Sequence, residues 1–199
     1  MAEAELGRQL EFLLEVDRLK GVIRRTYVLA GERRENSAEH SWHLALAALL
    51  LAEHANQPVD VARVIAMALV HDIVEIDAGD TFLYDERGAL DKSDREQRAA
   101  TRLFGLLSEP QGGQMRALWD EFEARETPEA RFAAALDRLL PILANLATDE
   151  RSWREHGIAL DRVLARSATM AEGSQVLWSE VQSRLRDAEA RGVFAGETE

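Results

Sequence analysis

Residues 64–72 constrain the fold more than any other stretch. Val64-Ile65-Ala66-Met67-Ala68-Leu69-Val70 is an unbroken apolar run that stops on an adjacent imidazole and carboxylate, His71 and Asp72. A helix this apolar is buried on most sides. Ending it on two polar groups is costly unless they are paired or ligate a metal. Two other segments repeat the anomaly. His40 falls on the stripe of Leu44, Ala47 and Leu51, at helical steps of three and four residues. Asp137 falls among Ala133, Ala134, Leu136, Leu140 and Ala144, while Arg138 beside it points to another face. Each residue alone has a plain alternative: a structural histidine, a capping pair, or a salt bridge to a distant arginine. Taken together, three separate helices bring two imidazoles and two carboxylates to core faces. That donor set suits a divalent transition metal and leaves coordination positions open for water and substrate.

The rest of the chain reads as helices around these residues. A first helix spans about Ala4 to Lys20, with an apolar stripe of Leu6, Leu10, Leu13, Leu14 and Val16, and stops at Gly21. Val22 to Glu35 lacks a helical period and reads as an irregular connection. Asn36 or Ser37 caps a helix from Ala38 to His54, and Pro58 and Asp60 open another from Val61 to Val74. Glu75 to Leu90, with Gly79 and Gly88, reads as a loop. Helices follow near Asp91–Leu107 and Gln114–Arg125. Thr127 then caps a helix that carries Pro128 in its first turn and runs to Ala147, with Pro141 as a possible kink. Ile158 to Arg191 reads as two helices broken near Gly173 and Ser174. No strand alternation, repeat or linker stands out, so the expectation is an all-α, single-domain helical bundle over residues 1–199. His43 reads as a packing residue, and His54 and His156 as solvated ones.

Composition narrows the function. A net charge of −12 disfavours nucleic-acid backbones and anionic membranes. It does not exclude a small phosphate substrate, because a bound dication reverses the sign locally. With 0 cysteines, disulfides and thiolate zinc sites are excluded, which fits a cytoplasmic protein. The N-terminal residues have no apolar signal core, and Leu44–Ala52 is too short to span a bilayer.

The ordered set of local motifs resembles the HD superfamily of metal-dependent phosphohydrolases. These are Arg18-Leu19-Lys20 and Arg24, then Glu35-Asn36-Ser37-Ala38-Glu39-His40-Ser41, then Ala68-Leu69-Val70-His71-Asp72 through Glu75, then Gly79-Asp80, and finally Asp137. Within that superfamily they resemble the 5′-deoxynucleotidase branch. The similarity covers about residues 9–147, with the C-terminal helices, residues 149–199, expected to pack on that core. The resemblance implies one divalent metal ion (Mn, Co, Fe, Ni, Zn or Mg) held by His40, His71, Asp72 and Asp137. It also implies catalytic roles for Glu75 and Asp80, a substrate-contacting Arg24, hydrolysis of nucleoside 5′-monophosphates, and a homodimer. The branch has a Trp directly after that arginine, which helps reject the ribose 2′-hydroxyl. Arg25 stands there in this chain, which leaves the sugar preference open. Glu75, one helical turn past His71, is suited to orienting or deprotonating water. Asp80 is suited to positioning substrate or protonating the leaving oxygen, and Arg24 to holding phosphate. Another HD chemistry, on diesters or triphosphates, and a non-catalytic binding module are the alternatives.

Overall fold

The computed structural model describes residues 2–192 and 194. Eleven α-helices are described: α1 (Ala2–Asp17), α2 (Ser37–Leu51), α3 (Val61–Val70), α4 (Glu75–Ala78), α5 (Lys92–Phe104), α6 (Gln111–Ala124), α7 (Pro128–Ala147), α8 (Arg151–Glu155), α9 (Leu160–Ser167), α10 (Met170–Gly173) and α11 (Gln175–Ala190). Helix α7 is the axis of the bundle. It packs against α2, α3, α6, α10 and α11, and Phe132, Leu136 and Leu139 on it are fully or almost fully buried. One large core joins residues from α2 through α11, so the C-terminal helices share it with the site-bearing ones. A smaller core under α1 holds Phe12, Val70, Val74, Leu103, Phe104 and Trp119.

Capping sets where the helices begin. Asn36 accepts from Glu39 N while the Glu39 carboxylate accepts from Asn36 N, a complete capping box that starts α2 four residues before His40. Asp60 caps α3 through Ala62 and Arg63, and Thr127 caps α7 through Ala130, with Pro128 in the first turn as the sequence indicates. Helix α7 continues through Pro141 to Ala147. The break at Ser174 is also found: Ser174 ends α10 and caps α11, its hydroxyl accepting from Leu177 N.

Four expectations need correction. First, the stretch expected to be an irregular connection contains a two-stranded antiparallel hairpin, β1 (Ile23–Tyr27) and β2 (Arg34–Asn36). Arg24 and Glu35 turn toward the site, and the buried pair Thr26 and Tyr27 is adjacent, so the hydrophobic alternation that marks a half-buried strand is missing. Second, α3 ends at Val70, and after a tight turn through residues 71–74 the chain forms α4 where a loop was expected. It stops at Gly79, whose φ of 75° favours glycine. Third, α1 meets the core through Phe12, with Val16 of the expected stripe half-buried beside it, while Leu6, Leu10, Leu13 and Leu14 of that stripe are exposed. Fourth, His43 is exposed beside Trp42, whereas His156 is half-buried, bonds Ser152 O through Nδ1 at 2.8 Å and packs on Phe82.

Candidate metal centre and its cavities

Helix α2 carries His40 as its fourth residue, at the end of its first turn, the turn after α3 carries His71 and Asp72, and α7 carries Asp137 near its middle. Ligand atoms of His40, His71 and Asp72 lie within 4.8 Å of one another. Asp137 Oδ1 is 2.9 Å from His40 Nε2 and 3.9 Å from His71 Nε2, so the fourth residue closes the group. His71 Nδ1 is 2.9 Å from Ala68 O. That contact assigns its proton to Nδ1 and turns the Nε2 lone pair inward, the usual arrangement behind a ligating imidazole. His71 Nε2 is 3.0 Å from Asp72 Oδ1, yet it is buried and makes no well-formed hydrogen bond among the described residues. A buried nitrogen facing carboxylates without a proper partner fits a cation.

The electrostatics point the same way. Burial, reinforced by the Arg24 charge, lowers the His40 pKa to about 4, so this imidazole is neutral, as a ligand must be. For His71 burial is outweighed by the charges of Asp72 and Asp137, which raise it to about 9. Without a dication, a proton supplies the positive charge these carboxylates require. Asp72 is held down to about 2, His71 and Arg24 prevailing over burial. Asp137 is well below the usual carboxylate range, its hydrogen bond with His40 and the charge of Arg138 again prevailing over burial.

The remaining expected residues surround this group. Arg24 arrives from β1 and donates Nη1–H to Asp72 Oδ2 at 2.9 Å, with Asp80 at 3.9 Å and Glu35 at 3.5 Å. Glu75 is buried on α4, with Oε2 accepting from Ser37 Oγ at 2.6 Å. Burial and the neighbouring Asp72 raise its pKa well above the ordinary value. Asp80 is also raised, chiefly by burial and against the pull of Arg24. In the sequence Glu35 stands only within a motif, and Ser37 only there and as an alternative helix cap. The structure puts Glu35 Oε2 3.6 Å from His40 Nδ1, with burial raising its pKa to about 7. The sign of its role was present in the chain: a glutamate directly before a helix cap, five residues ahead of His40.

Two cavities meet at Arg24, Asp80, residues 81–83, Asp137 and Arg138. One, of about 210 Å³, opens onto His71, Asp72 and Glu75 and is rimmed by Lys92, Arg125, Arg138 and Arg166, with Glu96 and Glu123 among them. The other, of about 90 Å³, lies between β1, residues 81–84, the C-terminal half of α7, α8 and α9, and combines the aromatic and aliphatic Phe82, Tyr84, Trp153, Pro141 and Ile142 with polar residues. Arg25, exposed on β1, lines this second cavity.

Helices that converge on a His/His-Asp/Asp cluster define a class, and sequence comparison agrees. Residues 16–178 match the model of the HD domain, and the chain belongs to that family. It is similar over 97% of its length, and 97% of the other chain, to a protein from Magnetospirillum magnetotacticum MS-1 described as a predicted metal-dependent phosphohydrolase, at 47% identity and a TM-score of 0.92. The 5′-deoxynucleotidase HDDC2 of Bos taurus is 34% identical over 136 residues, which is 67% of this chain and 64% of that protein. The human protein of the same name is 31% identical over 135 residues, 67% of this chain and 65% of that one. The chain therefore spans a little under two thirds of the length of these two relatives. A conserved hypothetical protein from Pyrococcus furiosus shares the fold, with a TM-score of 0.60 at 20% identity.

Proposed function

We propose that this chain is a metal-dependent 5′-nucleotidase that hydrolyses (deoxy)nucleoside 5′-monophosphates to nucleoside and phosphate. The observation that carries the reading is the cation rim. In a protein of net charge −12, Arg24, Lys92, Arg125, Arg138 and Arg166 line a cavity that opens onto His71, Asp72 and Glu75, where Glu96 and Glu123 offset only part of that positive charge. Such a rim suits an anion brought to the His/Asp cluster. The names of the HDDC2 relatives support the choice of substrate.

In this reading His40, His71, Asp72 and Asp137 hold one divalent ion, which when bound acidifies water and offsets phosphoryl charge. Arg24, already beside Asp72 and Asp80, holds a phosphate oxygen through its guanidinium. Glu75 takes the proton of the attacking water. Its raised pKa makes it a stronger base than an ordinary glutamate, and the Ser37 hydroxyl leaves Oε1 free for the task. Asp80 is the acid, because its raised pKa lets it deliver a proton to the 5′ oxygen as the P–O5′ bond breaks. The P–O bond to water forms, the bond to the nucleoside breaks, and one proton moves at each end.

The protein is also proposed to be cytoplasmic and a homodimer. No helix among the described residues is long and apolar enough to cross a membrane. Trp42, Leu46, Leu49 and Leu50 form an exposed stripe on α2, as Leu6, Leu10, Leu13 and Leu14 do on α1, and a second copy would cover such faces. Sedimentation as a monomer at micromolar concentration contradicts the dimer.

The activity is tested by phosphate release from a panel of deoxy- and ribonucleoside monophosphates, after chelation and after return of Mn, Co, Mg or Zn. Metal-restored release from monophosphates is expected. Release only from cyclic nucleotides or triphosphates assigns another HD chemistry, and no release with any metal assigns a binding role.

A further inference from the structure

The smaller of the two cavities differs from the first at its far end. Beyond the charged residues that the two share, Tyr84, Trp153, Pro141 and Ile142 line it alone, with Phe82 common to both, and Tyr84 and Trp153 are buried. Aromatic faces bounding a narrow space are suited to a flat heteroaromatic ring. Two buried oxygens belong to residues of the same lining. Asn145 is 4% exposed and Ser167 is 1% exposed, and neither Asn145 Oδ1 nor Ser167 Oγ has a hydrogen-bond partner among the described residues. Buried polar atoms are rarely left so, and leaving them unmet is costly.

The orientation of Asn145 is fixed by its other end. Its Nδ2 donates to Pro141 O at 2.9 Å, one helical turn back, so the side chain offers its carbonyl oxygen, an acceptor, as the unmet group. The Ser167 hydroxyl donates or accepts as required. An acceptor and an adaptable hydroxyl beside aromatic walls match the edge of a nucleobase. Every common base carries an N–H or amino donor next to an acceptor on its pairing edge. The neighbouring cavity holds the His/Asp cluster and the cations Lys92, Arg125 and Arg166, and the two cavities share Arg24, Asp80, residues 81–83, Asp137 and Arg138.

We propose that the aromatic cavity is the nucleobase pocket, that Asn145 accepts a hydrogen bond from the donor edge of the base with Ser167 beside it, and that the phosphate lies across the Asp80–Asp137 junction in the cation-rimmed cavity. The inference rests on the nucleotidase reading above. Because all four bases present a donor to Asn145, the pocket selects for a base being present and discriminates weakly among bases.

The test compares nucleoside 5′-monophosphates with the base-free esters ribose 5-phosphate and 2-deoxyribose 5-phosphate, in wild type, Asn145→Leu and Ser167→Ala. Loss of one such contact is expected to lower kcat/KM for the nucleotides about tenfold in Asn145→Leu, and less in Ser167→Ala, mainly through KM. Values for the base-free esters should stay unchanged, which a general loss of folding or metal would not produce. Equal losses on both substrate types overturn the proposal, as does a wild type that prefers base-free esters or shows no preference. If no phosphomonoester is hydrolysed, the nucleotidase reading fails, and calorimetric titration with free nucleosides decides this inference alone. Binding that weakens about tenfold in Asn145→Leu supports it, and absence of nucleoside binding to the wild type refutes it.

Discussion

Raising the pH should destabilise the metal-free protein, because the buried charge at the centre makes it bind protons. His71 has its pKa raised from 6.5 to about 9, as the charges of Asp72 and Asp137 outweigh burial. Between those values the folded chain holds a proton that the unfolded chain has released. Its contribution is therefore complete below pH 6.5 and is lost as pH rises through 9. At roughly 1.4 kcal/mol per pH unit, the interval corresponds to about 3 kcal/mol. Glu75, raised chiefly by burial and Asp72, acts in the same direction. Glu35, raised by burial from 4.5 to about 7, loses its contribution over that lower range. His40 opposes it there: its pKa is depressed to about 4, so its contribution is present above pH 6.5 and lost as pH falls. The two offset each other in weak acid and leave the alkaline slope to His71. Thermal melts in chelator at pH 6.5 and 9 measure it. A loss of about 3 kcal/mol lowers Tm by roughly 6–12 °C in a chain of this length. Metal at a hundredfold excess over its Kd should return about 2.7 kcal/mol, and should require more free metal at pH 6.5, where His71 must first release its proton. A flat stability between pH 6.5 and 9 in chelator, or an unchanged slope in His71→Asn, would refute the reasoning.

Other consequences follow from the same geometry. Glu75→Gln should lower kcat by roughly 10²–10⁴ while metal content, measured by emission spectroscopy, stays that of wild type. Asp137→Ala removes the α7 donor and the partner of His40, so the purified protein should carry little metal and its Tm should not respond to added cation. Asn36→Ala opens the capping box that starts α2 and should cost about 1 kcal/mol in denaturant melts. A Cβ at Gly173 would lie 2.2 Å from Arg131 O, where α10 crosses α7, so Gly173→Ala should destabilise by roughly 1–3 kcal/mol, whereas Gly7→Ala, in open space, should not.

The sequence made the centre legible because its four residues break helical patterns that are otherwise apolar. His40 stands in a stripe with the buried Leu44 and Ala47, and Asp137 stands beside the buried Ala133, Ala134, Leu136 and Leu140. The capping residues were legible for a similar reason, since Asn36, Asp60 and Thr127 act locally on the next turn of chain. What could not be read was set by distant contacts. Hairpin β1–β2 has Arg24 and Glu35 where a strand would normally show apolar residues, and only their ion pairing across the site makes that burial tolerable. Leu10 and Leu14 look like core residues by period, yet the core lies on the Phe12 side of α1. Asn145 and Ser167 carry no motif. They become noticeable only when folding places both in the lining of one cavity without partners.

Charge balance ties the hairpin to the metal reading. Asp72, Asp80, Asp137, Glu35 and Glu75 are all at most 15% exposed or buried outright, and all five act on one another or on Arg24. Arg24 is the cation that reaches into them directly, bonding Asp72 and lying near Asp80 and Glu35. One guanidinium does not balance five carboxylates in a medium that screens poorly. The chain compensates by raising the pKa of Glu35, Glu75 and Asp80 and by drawing a proton onto His71. A dication held by His40, His71, Asp72 and Asp137 would replace that proton and lower the cost of ionising the acids beside it. Arg24 would then be less tightly engaged by Asp72 and freer to meet a phosphate. Arg24→Lys keeps the charge but loses the forked donor, so it should preserve metal binding while raising KM for nucleotides. A variant that instead lost its metal would assign Arg24 to holding the centre together and not to the substrate.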